Sequence, residues 1–341
     1  MNSKVAVVIL NWNGRQKGLI EQYLPSVVEY SKEAEVFVAD NGSEDDSLEF
    51  IKANFPTVNL IPLDKNYGFT GGYNRALSQI EADYFILLND DVEVTENWIS
   101  PLIEKMEEDK TIAVCQPKLL SYKDKTCFEY AGAAGGYLDY LGYPFCAGRI
   151  FQNLEKDNGQ YNKEREIFWA TGAAMFVRAD VFKTMGGLDE DFFAHMEEID
   201  FCWRVKNAGY KVMYYPQSTV YHFGAATLQT NNPKKTFLNF RNNLLLLYKN
   251  LPEENFSSVF FKRRCLDYLA AFVFLLQGHK EDCKAVFDAR KDFRKIKKHF
   301  YSKRQKNISS YPSQTLKKSL VLQSKLFHRN LFTQLEDYLW A

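Results

Sequence analysis

The sequence predicts an α/β fold with a mostly parallel central sheet flanked by helices, followed by a helical C-terminal extension. Three observations carry that prediction. Val5 to Leu10 (VAVVIL) and Tyr84 to Leu88 (YFILL) are uninterrupted apolar runs, too short for stable helices and suited to strands buried on both faces. Each such run ends in a polar turn, and open α/β sheets bind ligands at the carboxyl ends of their strands. Helix-like segments separate the strands, as parallel pairing requires.

The first run leads into Asn11-Trp12-Asn13-Gly14, a place for a ligand. Glu35 to Ala39 is a second strand ending in Asp40-Asn41-Gly42-Ser43, after which Asp45, Asp46 and Ser47 offer caps to a helix closed by Pro56. Val58 to Leu63 is a third strand, interrupted by Pro62. Asn66-Tyr67-Gly68-Phe69-Thr70-Gly71-Gly72-Tyr73-Asn74 then precedes a predicted helix at Ala76-Leu77. Glycines ahead of a helix let backbone amides approach a phosphate, although the same spacing suits a plain turn.

Tyr84 to Leu88 ends in Asn89-Asp90-Asp91. Adjacent carboxylates at a sheet mouth repel each other, so they sit in water as a solvated turn or share a cation; oxygen ligands favour Mg²⁺ or Mn²⁺. The chain then predicts a helix through Trp98 and Ile103, a strand at Ile112 to Cys115, and a long surface loop or flap from Tyr130 to Gly148. Phe168 to Val177 is apolar and predicted as a strand. After Gly186-Gly187, Glu197, Glu198 and Asp200 open a helix that ends near Gly209. Those acids suit either a helix start, with Asp200 paired to Arg204 one turn on, or a general base. Lys211 to Tyr215 is a further strand, and His222 beyond it is a structural histidine or a metal ligand.

Composition sets the remaining bounds. The chain of 341 residues is 46% hydrophobic and has no net charge, but the neutrality is a sum of opposites. From Phe261 onward there are 18 Lys+Arg against 7 Asp+Glu, leaving 25 against 36 before it. A basic appendage of this kind suits an anionic membrane surface or nucleic acid, and no nucleic-acid recognition motif is present. Cys265 to Leu276 is nearly apolar on all sides except Asp267, and Lys284 to Lys298 interleaves basic with apolar residues. A packed helical hairpin and an interfacial anchor are both consistent with that pattern. Six scattered cysteines without zinc spacing, no signal-peptide pattern after Met1-Asn2-Ser3-Lys4 and no membrane-length apolar run lead us to expect a cytoplasmic protein. At most it would lie peripherally on the cytoplasmic face of the membrane.

Taken in order, VVILNWNG, ADNGS, NYGFTGGYN, LLNDD and FAHMEEIDFCWR followed by His222 resemble a family-2 glycosyltransferase of the GT-A nucleotide-sugar fold, closest to its rhamnosyltransferase-like branch. The resemblance implies a catalytic domain at 1–250 and leaves 251–341 as a basic helical region. It implies that Asp40 and Asn11 line the nucleobase, that Asn66, Gly71, Gly72 and Asn74 border the ribose and diphosphate, and that Asn89-Asp90-Asp91 stands for the family's D-x-D motif. In that motif Asp91 is the direct metal ligand and Asn89 replaces its first acid. It further implies His222 as a metal ligand, Thr171, Gly172 and Trp203 on the acceptor side, and Glu198, the second acid of the Glu197-Glu198 pair, as the base. Glu stands there where the family has Asp, which keeps Asp200 in play. The implied reaction is inverting transfer of rhamnose or another hexose from a dTDP- or UDP-sugar to a glycan or lipid-linked acceptor in cell-surface polysaccharide synthesis. The rivals are a nucleotidyltransferase, which would want a basic glycine-rich loop after the first strand, and a non-catalytic relative that binds nucleotide or glycan.

Overall fold

The computed structural model describes residues 3–224, 232–304 and 310–340. Its first half is a run of β and α units: β1 (Val5–Asn11), α1 (Leu19–Tyr30), β2 (Glu35–Asp40), α2 (Ser47–Asn54), β3 (Asn59–Pro62), α3 (Gly68–Leu77) and β4 (Tyr84–Asn89). These four strands pair in parallel in the order β3-β2-β1-β4. Pro62, which has no N–H for the ladder, lies on β3 at the sheet's edge, where that loss is tolerated. Along β4, Tyr84, Ile86 and Leu88 face one core with α1 and α4, while Phe85 and Leu87 face the other. Burial on both faces explains the unbroken apolar runs.

The chain continues with β5 (Val92–Val94), α4 (Ser100–Glu108) and β6 (Ile112–Ser121). The helix expected directly after Asp91 therefore starts later. Val92-Glu93-Val94 alternates as a strand and pairs antiparallel with residues Val220–His222, while Trp98 is buried ahead of the helix with Nε1 donating to Ser31 Oγ at 3.2 Å. Pro101 sits in the first turn of α4, where its missing N–H costs nothing.

The stretch expected as a surface flap is instead interior. It forms β7 (Gly136–Asp139) and β8 (Pro144–Cys146), which with β9 (Arg149–Ile150) and β10 (Asn153–Leu154) just beyond it are antiparallel neighbours in a second, small sheet. These strands are too short to display a period. Glycine also substitutes for side chains where another element approaches: a Cβ on Gly136 would lie 2.1 Å from the Trp169 ring.

Next come β11 (Arg165–Glu166), β12 (Ala174–Arg178), α5 (Ala179–Thr184), α6 (Glu197–Asn207) and β13 (Lys211–His222). β12 enters antiparallel between β4 and β6, and β13 pairs parallel with β6, so the nine-stranded sheet is mixed beyond its parallel half. β13 is one strand with a register shift between Tyr215 and Thr219, which is why the sequence divides there.

The C-terminal part comprises α7 (Pro233–Asn250), α8 (Glu253–Leu276), α9 (Lys280–Ile296), β14 (Thr315–Leu316) and α10 (Leu320–Lys325), with β14 adding a parallel edge to the small sheet beside β7. Among the described residues no helix is long and apolar enough to cross a membrane. α8 turns Val259, Arg263, Asp267 and Ala271 inward at helical spacing. Asp267 is fully buried between Arg263 (3.0 Å) and Arg290 of α9.

Candidate active site

The carboxyl end of β4 gathers the chemistry. Asn89 N donates to Ala173 O at 3.0 Å, which fixes the strand end against the Thr171-Gly172 turn. Asp91 is fully buried, with Oδ1 3.0 Å from Nε2 of His222, 131 residues away, and Asn89 Nδ2 lies 3.4 Å from the same nitrogen. The other ring nitrogen, Nδ1, lies 3.2 Å from Oε1 of buried Glu129. Burial opposes a charge on His222, but the carboxylates of Glu129 and Asp91 outweigh it and hold its pKa well above the ordinary histidine range. Asp90 is half-buried; desolvation and the Asp91 charge push it up to about 7. A strand end so crowded with negative charge favours a cation.

The donor set also fits a divalent ion. Asp91 Oδ1 and His222 Nε2 touch directly at 3.0 Å, and a divalent ion held by them would replace the proton they share, as metal binding to imidazole and carboxylate does. Glu129 stands where a carboxylate commonly orients a metal-binding histidine through its far nitrogen. Among the described residues no group of three or more His, Cys, Asp or Glu side chains could hold an ion alone. Mg²⁺-type ions commonly use one or two carboxylates and take the remaining ligands from substrate phosphate and water.

At the carboxyl ends of β1 and β2, Asn11 and Asp40 come together, Asn11 Nδ2 donating to Asp40 Oδ1 at 2.7 Å. Asn11 has no exposure, and a Cβ on Gly14 would lie 2.2 Å from its Oδ1. It is packed beneath the turn and fixes the Asp40 carboxylate, which also accepts from Ser43 N at 3.0 Å. Asn41 organises the next turn: its Oδ1 accepts from Tyr67 N, and its Nδ2 donates to Gly68 O and Asn66 Oδ1.

The acids Glu197, Glu198 and Asp200 open α6. The segment before it holds Phe193, His195 and Met196 at φ of 65°, 69° and 74°, a left-handed conformation that costs bulky residues on the order of 1–3 kcal/mol each. Two elements hold it there. Phe193 O accepts from Phe69 N at 3.1 Å at the start of α3, and Asn242 Nδ2 of α7 lies 2.9, 2.8 and 2.8 Å from the carbonyl oxygens of Phe192, Ala194 and His195. Glu197 is buried and Glu198 half-buried, and Oε2 of each has no hydrogen-bond partner among the described residues. Desolvation raises both, Glu198 to about 7, and the Glu198 charge adds to the rise at Glu197. Burial thus outweighs the helix N-terminus, which by itself would favour the ionised form.

Comparison with known proteins gives this arrangement its family. A family model described as glycosyl transferase family 2 matches residues 6–186, more than half of the chain. The chain belongs to glycosyl transferase family 2. Among curated relatives it is 26% identical over 223 residues to the N-acetylglucosaminyl-diphospho-decaprenol L-rhamnosyltransferase of Mycobacterium tuberculosis, covering 60% of this chain and 72% of that one. It is 25% identical over 164 residues to the rhamnosyltransferase WbbL of Escherichia coli K12, covering 46% and 61%. Its fold is similar to that of GalNAc-T7 crystallised with UDP, GalNAc and Mn²⁺ (TM-score 0.57, 16% identity, 88% of this chain and 56% of that one). It is likewise similar to residues 1–349 of S. aureus TarS (TM-score 0.52, 16% identity, 85% and 80%). The protein is thus a GT-A glycosyltransferase.

Several residues that the family resemblance assigns to ligands have other work in this glycosyltransferase. α3 begins at Gly68, so Gly71 and Gly72 lie inside it and not ahead of it; a Cβ on Gly72 would meet Leu10 at 2.7 Å, so the glycine permits close packing of helix on sheet. The first amides of α3 are already capped, Gly68 N by Asn66 Oδ1 at 2.8 Å and Phe69 N by Phe193 O, which leaves no open cradle for a phosphate. Asn74 bridges both backbone groups of Leu188, at 2.7 and 3.0 Å. Trp203 is fully buried edge-on to Phe168, so it supports the core and does not line an acceptor surface. Asp200 has no exposure and is committed to Arg204 (2.9 Å), Lys249 (2.8 Å) and Asn250 (2.8 Å), which gives it no route to a substrate hydroxyl. Thr171 N donates to buried Gln116, and Gly172 packs against Phe69 beside Asn89.

Sequence reasoning missed Glu129 and Asn242. Glu129 belongs to no motif, and Asn242 is one of four asparagines in α7. Asn242→Leu should remove the donor shared by three carbonyls and destabilise the protein by about 2–4 kcal/mol. Urea denaturation measures that loss, and faster amide exchange confined to residues 192–199 would locate it. Unchanged stability would mean that the strained segment holds itself.

Proposed function

We propose that this glycosyltransferase is inverting and metal-dependent. In this reading it moves rhamnose or another hexose from a dTDP- or UDP-sugar to a glycan or lipid-linked acceptor, with residues 1–250 catalytic and 251–341 meeting an anionic membrane surface. The observation that carries the reading is Glu198: a half-buried carboxylate with an unpartnered oxygen, held near neutral pKa at the head of α6. The mycobacterial and E. coli relatives, both rhamnosyltransferases, support rhamnose, and the mycobacterial one, which acts on a diphospho-decaprenol, supports a diphosphate-lipid acceptor.

Asp40, fixed by Asn11 and Ser43, presents a carboxylate to the nucleobase. Asp91 and His222 would hold Mg²⁺ or Mn²⁺, with Asp90 beside them. Held there, such an ion would supply positive charge against the diphosphate leaving group. Glu198 accepts the acceptor hydroxyl's proton while that oxygen bonds to the anomeric carbon and the carbon–oxygen bond to diphosphate breaks. A single displacement inverts the configuration. A nucleotidyltransferase is the weaker alternative, because no basic glycine-rich loop follows β1. A non-catalytic relative would have no use for a desolvated glutamate.

Glu198 must be ionised to act, and its pKa is raised, so kcat should climb with pH through about 7 and level off above it. Glu198→Gln keeps the shape and removes the basicity, so kcat should fall roughly 10²–10⁴-fold and that rising limb should disappear, with donor affinity nearly unchanged. A variant within a few-fold of wild type would remove Glu198 from the mechanism.

The metal is tested separately with Asp91→Asn, which preserves packing beside His222. In wild type, Mn²⁺ together with a nucleotide-sugar at 100 times its Kd should stabilise the fold by about 2.7 kcal/mol. The variant should lose the metal-dependent part of that gain. Full wild-type turnover after exhaustive chelation would exclude the ion.

A further inference from the structure

We infer that the outer face of the α8–α9 hairpin is a docking surface for an anionic lipid bilayer. The inference rests on the lipid-linked-acceptor reading above for its purpose, but not for its observations.

α8 is amphipathic in the inverted sense. Its inward stripe is Val259, Arg263, Asp267 and Ala271, with the Asp267 carboxylate shared between Arg263 and Arg290. Its outward face from Tyr268 to Leu276 carries no charge at all. Leu269, Phe272, Val273, Leu275 and Leu276 are exposed there, Phe272 by 55% and Leu276 by 71%. Across the hairpin, exposed Phe287 of α9 stacks on Tyr268 with ring centroids 5.4 Å apart, which continues the apolar surface onto the second helix. A contiguous exposed patch on a folded protein marks something apolar that covers it.

Charge selects the occupant. Exposed Lys262 and Arg264 precede the patch, and beyond its end exposed Lys280, Lys284 and Lys291 outnumber exposed Glu281 and Asp288. Basic residues bordering an aromatic and leucine face suit a helix lying in the headgroup region, with its apolar side toward the acyl chains and its cations against anionic lipid. A second copy of this chain would bring like charges together around the same patch. The hairpin would then hold the enzyme at the surface from which a lipid-linked acceptor presents its sugar.

The test is co-sedimentation of the full-length protein with vesicles of phosphatidylcholine alone and of phosphatidylcholine mixed with phosphatidylglycerol. Wild type should bind the anionic vesicles, bind neutral ones weakly, and lose binding as salt rises. Leu269→Glu combined with Phe272→Glu should lower anionic-vesicle partitioning roughly tenfold or more, with an unchanged melting temperature because both side chains are exposed. Three results would overturn the inference: wild type that ignores vesicles, a double variant that binds as wild type does, or a wild-type dimer in sedimentation velocity that the double variant dissolves. Donor binding on the same preparations separates the two proposals. Its presence without vesicle binding overturns this inference alone, and vesicle binding without it overturns the enzymatic reading alone.

Discussion

Desolvated carboxylates at the rim of the sheet are the constraint on which this structure turns. Asp90 and Asp91 stand side by side at the end of β4, and Glu197 and Glu198 do the same at the head of α6. Burial makes each negative charge costly, and an adjacent like charge adds to the cost. The two pairs meet it differently. Asp91 is set against a histidine that Glu129 holds from behind, which keeps that imidazole cationic or aimed at an ion. Glu198 has no such partner among the described residues and retains its proton up to about pH 7. One pair is thus suited to hold positive charge and the other to exchange a proton.

Placing Glu198 there requires three residues in left-handed backbone conformation within four positions, a strain that the segment cannot sustain alone. The start of α3 and Asn242 of α7 supply the donors that hold it. Behind it, Asp200 ties α6 to Lys249 and Asn250, and Asp189 takes Lys249 and Lys303. The C-terminal helices are therefore part of the scaffold of the acidic loop as well as an appendage carrying the basic surface.

What the sequence made legible follows from local physics. β1, β2 and β4 announce themselves because burial on both faces demands uninterrupted apolar residues, and the Asp200–Arg204 pair follows from helical spacing. The Asp91–His222 contact bridges two strands far apart in sequence, and only the ordered set of motifs suggested it. The small sheet was hidden because its strands are too short to show a period and its glycines yield space to Trp169 and Ile167. Gly71, Gly72, Asn74 and Trp203 sit within motif-like stretches, yet their contacts are internal; sequence spacing cannot distinguish a residue that touches a ligand from one that shapes its surroundings. In the second half of α8, Cys265 to Leu276, composition showed an apolar segment with one acid. Only the fold shows that the acid points inward and the leucines outward.

The central claim is one displacement at the anomeric carbon with Glu198 as base, and the product's stereochemistry tests it most directly. The anomeric configuration of the transferred sugar, read by proton NMR on product formed from a nucleotide-sugar that the enzyme turns over, should be opposite to the donor's. A product with the donor's configuration would require a second displacement or a same-face path, and would contradict the assignment of Glu198 as the base of a direct attack.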